Sequence, residues 1–249
     1  MKKTWILLLS VFVLGSALLL APVAGFCSPH GGGGSGGSDN TPSAADQKEI
    51  DRLVQIFITE GTLQGLALDK AIRLATTVSG EGGCVSSYIA GASLMRNGEY
   101  ERGRDLALPV LDRCYEASVQ FWKDSEKLRT LVAGEVSLHA GGKGDYGTIL
   151  TMEEKLGKDM LTDRLLVRDA KGILEGRTRL GDVLRFHKAR AYTTAQMPSE
   201  AKQTLKELEF ASGKVFVDGE VTGLKDAIAK LKVQVEGMAR LILSFFRAA

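Results

Sequence analysis

Three cysteines, Cys27, Cys84 and Cys114, are the residues of this chain best suited to covalent chemistry. A thiol can act as a nucleophile, a metal ligand or half of a disulfide, and its surroundings decide which. No Cys-x-x-Cys-His stretch for haem accompanies them, nor a His-Glu-x-x-His stretch for zinc. His30, His139 and His187 stand apart in the sequence, so a metal or general-base role would need partners from elsewhere. Gly142-Lys143 suggests a phosphate loop. Ser137, however, occupies the place of its first glycine, and Gly144 that of its Ser/Thr. Gly80-Glu81-Gly82 has Val85 where a dinucleotide fingerprint requires its third glycine. Acid pairs such as Glu153/Glu154 and Asp163/Asp169 are what solvated helix faces carry. Nothing indicates a serine nucleophile. The chain therefore reads as a non-enzyme with no cofactor and no metal.

The N-terminus sets the compartment in which those thiols act. Met1-Lys2-Lys3 is positive, residues 5–21 are apolar and uncharged, and Pro22-Val23-Ala24-Gly25 closes the run with small residues. This three-part layout reads as a secretory signal peptide over residues 1–25. An uncleaved anchor is the alternative, since a membrane span needs ~20 apolar residues. Cys27 and the Gly/Ser-rich segment behind it, a flexible tether over residues 26–41, resemble the start of a bacterial lipoprotein. That resemblance makes Cys27 a lipidation candidate, although Phe26 stands where the pattern has a small residue. Simple cleavage after Gly25 would leave Cys27 free. Each of these readings places the folded part outside the cytoplasm, in the periplasm or anchored to a bacterial envelope membrane. The chain has 32 Lys+Arg against 30 Asp+Glu, and Lys2 and Lys3 account for the excess, because no acid precedes Asp39. A near-neutral mature domain has no electrostatic footprint for nucleic acid. Membrane association would come through the N-terminus alone.

Residues 42–249 must position whatever this chain binds, and their apolar spacing is helical nearly throughout. Ser43 is an expected cap, with Asp46 as its box partner, ahead of Ile50, Leu53, Val54 and Phe57. A second helix is expected over 66–78, ended by Gly80-Glu81-Gly82-Gly83. Two helical patterns then flank Asn97-Gly98, and Gly91 and Gly103 fall where they would cross. Val119-Gln120-Phe121 opens a further expected helix running towards His139. Others are expected over 145–156, from Met160 to Leu174, over 186–195 and over 200–210. Lys214-Val215-Phe216-Val217 is strand-like but has no obvious partner, so it reads as a loop. Leu224, Ile228, Leu231, Val235, Met238, Ile242 and Phe245 repeat in heptads along a last helix. The fold class is all-α, built of stacked antiparallel helical hairpins with a long C-terminal capping helix.

Gly91, Leu94, Gly98-Glu99-Tyr100-Glu101 and Gly103 follow the order and spacing of a tetratricopeptide repeat, and this segment resembles that family. Ser87, Ala107 and Tyr115 replace its usual Trp, Phe and Pro. A second unit is carried by Ala189, Tyr192, Ala201, Leu205 and Leu208 around Met197-Pro198, and a poorer third centres on Gly144-Asp145-Tyr146. The resemblance implies a repeat domain over 42–218, with 219–249 as the amphipathic helix that covers its last apolar face. It sets Cys84 at the start of one helix and Cys114 at the end of its antiparallel partner. The two are thus a disulfide candidate outside the cytoplasm, with two buried free thiols as the alternative. In this family a peptide lies on the inner face of the first helices. By offset this implies a groove of Tyr88, Ala92, Met95, Arg96, Phe186, Arg190 and Thr193. Packing of these side chains on neighbouring helices is the competing expectation.

The expected function is that of a non-catalytic scaffold, exported to the bacterial cell envelope, which binds a protein or peptide partner in envelope complex assembly. Two rivals remain. One is a self-associating structural protein whose heptad helix, Leu224 to Phe245, pairs two copies. The other is a divergent all-helical enzyme or small-ligand binder.

Overall fold

Capping and apolar spacing account for the first helices. In the computed structural model, which describes residues 42–121, 124–169 and 174–248, Ser43 and Asp46 close a reciprocal capping box at the start of α1 (Ala44–Glu60). Ile50, Leu53, Val54 and Phe57 form its buried face. Gly61 ends it in the left-handed conformation, and α2 (Gly65–Thr77) follows. Gly80 to Gly83, expected to end the preceding helix, form the first turn of α3 (Gly80–Arg96). Gly83 is required there, since a Cβ on it would sit 2.0 Å from the Val78 carbonyl oxygen. Among helices the described residues are mostly α, with short strands set between them.

The helices α3 and α4 (Tyr100–Ala107) cross at glycine. A Cβ on Gly103 would lie 2.5 Å from the Gly91 carbonyl oxygen and 2.6 Å from Met95 Cγ, so the two backbones meet directly. Gly98, at φ 92°, turns the chain between them. Pro109 separates α4 from the short α5 (Val110–Arg113). Cys84 and Cys114 are brought together at the open end of this hairpin, with Cα atoms 6.2 Å apart, a separation at which a disulfide is geometrically possible.

The next three segments correct the sequence reading. Ser118–Phe121 is strand β1, paired antiparallel with β2 (Asp124–Lys127), where a helix was expected. The polar β2 gives no strand signal of its own, and Val119 and Phe121 alternate as strand residues do over too short a run to outweigh the helical spacing of Leu128, Leu131 and Val132. Gly157, at φ 67°, breaks α7 (Tyr146–Met160), and the expected helix from Met160 to Leu174 is instead β3 (Arg164–Arg168) paired with β4 (Leu174–Arg179). Lys214–Val217 is strand β5, not a loop. It pairs with β6 (Glu220–Gly223) across Asp218-Gly219, both at positive φ.

These hairpins give the chain a recurring order. A helix pair is followed by a hairpin whose second strand runs without a break into the next helix. Thus β2 leads into α6 (Leu128–Lys143), β4 into α8 (Leu180–Thr194), and β6 into α10 (Leu224–Ala248). The pair α6–α7 turns at Gly144, and the pair α8–α9 (Pro198–Lys206) turns at Gln196, both at positive φ like Gly98. Helices α3, α6 and α8 pack on one another in sequence. Adjacent hairpins are tied by the Lys214 N–H donating to Thr178 Oγ1, and by Thr178 Oγ1 donating to the Lys214 carbonyl. A large core runs from α1 to α8. A second core, around Phe186, Leu205 and Val215, is closed by Leu224, Ile228, Leu231 and Val235 of α10. The first four residues of the heptad seam are therefore used within the chain.

Candidate functional site

Where α3, α6 and α8 line up, their side chains meet the end of α1 and the three hairpins. Between them lies a cavity of about 490 Å³, within the range that holds small ligands. Most of its wall is apolar: Ile58 from α1, Leu131 and Leu138 from α6, Val183 from α8, and Leu166 and Phe216 from the hairpins. The strands have a clear role here. They present apolar residues of β3 and β5 over the face that the helices leave open.

One polar cluster sits in this wall. The Arg96 guanidinium donates to both carboxylate oxygens of Glu135, at 2.8 and 2.6 Å, and to the carbonyl of Gly61 at the end of α1. It also lies over the Phe57 ring, 5.0 Å from the centroid, and Tyr88 meets that ring edge-on at 5.9 Å. His139, one turn along α6, is 3.2 Å from Glu135 through Nε2. Burial by itself would raise the Glu135 carboxyl. The Arg96 charge and the hydrogen bonds of Arg96 and His139 outweigh it and hold the group at about 2. Burial pushes the Tyr88 hydroxyl up and out of the physiological range.

A second cluster lies at the hairpin side. Arg168 donates to Asp124 at 2.7 Å and approaches Glu126 at 3.8 Å. Glu126 is pushed up to about 7, chiefly by burial, with Asp124 adding to the rise and Arg168 opposing it. His187 of α8 also lines the cavity. It is 1% exposed, its Nδ1 has no hydrogen-bond partner among the described residues, and burial draws it down to about 3, so it is neutral.

Of the residues expected to form a groove, Tyr88 and Arg96 line this cavity. Ala92 and Met95 are buried in the large core, and Phe186 in the second core, because α3 and α8 have neighbours on nearly every side. Arg190 donates to Asp218 at the β5–β6 turn, at 2.8 Å, and Thr193 donates to its own helix at the Ala189 carbonyl. None of these five lines the cavity. Cys27 and residues 1–41 lie outside the described residues. Glu135 and His139 were missed because their spacing is that of an ordinary helix-face pair, and Arg96 is remote in sequence. Glu126, Arg168, Leu166 and Phe216 were missed with their strands. Among the described residues no group of three or more His, Cys, Asp or Glu could hold a metal ion.

No family model, curated protein or solved structure matches the chain significantly.

Proposed function

We propose that this chain is a non-catalytic binding module, a tetratricopeptide-like stack of helix pairs exported to the bacterial cell envelope, that holds an apolar ligand in the cavity between its helices and hairpins. The observation that carries this is the cavity itself: about 490 Å³ and apolar over most of its wall. Both described arginines of its wall are engaged by carboxylates. Glu135 is held by Arg96 and His139, and Arg168 is held by Asp124.

The test is titration of the purified chain with N-phenyl-1-naphthylamine, an uncharged apolar fluorophore that brightens out of water. A saturable rise at one equivalent is expected. Leu166→Trp, at a half-buried hairpin position on the wall, should abolish it while leaving the melting temperature within a few degrees. A rise that never saturates, or that survives Leu166→Trp, would overturn the reading.

A protein partner remains a second reading, favoured by the presence in the cavity wall of Tyr88 and Arg96, which the repeat resemblance places on a peptide-binding inner face. An apolar segment of an envelope protein would then occupy the same space, in keeping with a scaffold for complex assembly. Affinity capture from the native envelope, repeated with Leu166→Trp, separates a partner held in the cavity from one held elsewhere.

A further inference from the structure

The charges around the cavity are unevenly distributed, and this bears on what can enter it. Among the described residues four acids line it, Glu60, Glu126, Glu135 and Asp169, against two arginines, Arg96 and Arg168. Both arginines are already bound to carboxylates, at 2.6 and 2.7 Å. We propose that the cavity selects apolar ligands with an uncharged or cationic head and rejects ligands with a carboxylate head of the fatty-acid type. This rests on the reading of the cavity as a ligand site.

The argument turns on what an incoming anion would have to do. To pair with a cation of the wall it must compete with Glu135 for Arg96 or with Asp124 for Arg168. Either exchange leaves a carboxylate without its cation, and for Glu135 that carboxylate is buried, the arrangement that costs most. Without the exchange, the anion adds to an excess of negative charge across a medium less polar than water, where repulsion over a few ångströms is strong. A cationic head meets the opposite field. An alcohol needs only a neutral hydrogen-bonding group, and His187, uncharged and with Nδ1 unpartnered among the described residues, is one on the wall.

The experiment displaces N-phenyl-1-naphthylamine from the full chain at pH 8 with three ligands sharing one tail: decanol, decylamine and decanoate. Decanol and decylamine are expected to displace it at concentrations at least tenfold below that of decanoate. Glu60→Lys, an exposed position at the end of α1, should narrow that gap several-fold. If decanoate competes as well as the other two while Leu166→Trp still abolishes binding of the fluorophore, the selectivity is wrong and the ligand site stands. If none of the three displaces the fluorophore, both fall together.

Discussion

Glu135 and Glu126 are carboxylates in the same wall, and the fold moves them in opposite directions. Glu135 is bound by a guanidinium at two points and titrates at about 2, below its ordinary 4.5. Its stabilisation is therefore fully present above about 4.5 and is lost as pH falls towards 2. Glu126 is buried, with Arg168 3.8 Å away, and titrates at about 7. The folded state holds its proton more tightly than the unfolded chain does, so its ionisation destabilises the fold as pH rises through 7. Urea unfolding of two variants separates the effects. Glu135→Gln should destabilise by ~1–2 kcal/mol at pH 7, because Arg96, 36% exposed and so partly solvated, loses its anion, and by much less near pH 2. Glu126→Gln should be close to neutral at pH 4 and stabilising by ~1–2 kcal/mol at pH 8. The same sign for both variants at pH 8 would show that the burial assigned to Glu126 is wrong. Neither assignment was legible in the sequence. Glu135 and His139 are an ordinary i,i+4 pair until Arg96 arrives from α3, and Glu126 sits on a strand with no apolar neighbour pattern.

At the scale of elements, local signals were readable where a short stretch decides the outcome. Ser43 with Asp46 announced a cap, Gly91 with Gly103 announced a crossing, and both are formed as backbone geometry. The hairpins were not readable, because a strand's hydrogen bonds are completed by a partner the local pattern does not reveal. Leu165 and Leu166 favour helix until Leu174–Arg179 pairs with them, and Asp218-Gly219 was a turn signal whose second strand, Glu220–Gly223, is nearly devoid of apolar residues. The hairpin of α3 with α4 and α5 permits a prediction of its own. Cys84 and Cys114 are separated by 30 positions, and closing a loop of that length in the unfolded chain stabilises by ~3 kcal/mol in the chain-entropy model. The chain purified without reductant should yield one peptide joining Cys84 to Cys114 and a melting temperature several degrees above that of the Cys84→Ser/Cys114→Ser variant. Free thiols at both positions would leave the pair as two packed side chains, with Cys114 5% exposed.

Over the described residues helix pairs alternate with hairpins, and the last pair, α8 with α9, packs against α10. Leu224, Ala227, Ile228, Leu231 and Val235 all belong to the core that α10 closes, and each is buried. Beyond Val235 the burial changes: Met238 is half-buried and Leu241 is 63% exposed, although the heptad spacing of the sequence continues through Ile242 and Phe245. The part of the helix up to Val235 thus completes the fold, while Met238 and Leu241 are more exposed. Ending the chain at Gly223 should expose the second core, giving aggregation or a broad, weakly cooperative melt. Ending it at Met238 should preserve the melt to within a few degrees. Light scattering on the same pair also tests self-association. If the full chain is a dimer and the chain ending at Met238 a monomer of unchanged stability, the distal seam pairs two copies. If both have the same mass, the helix acts within one chain only. An intact, cooperative melt for the chain ending at Gly223 would contradict the closing role given to α10, since five buried apolar side chains of the second core would then be dispensable.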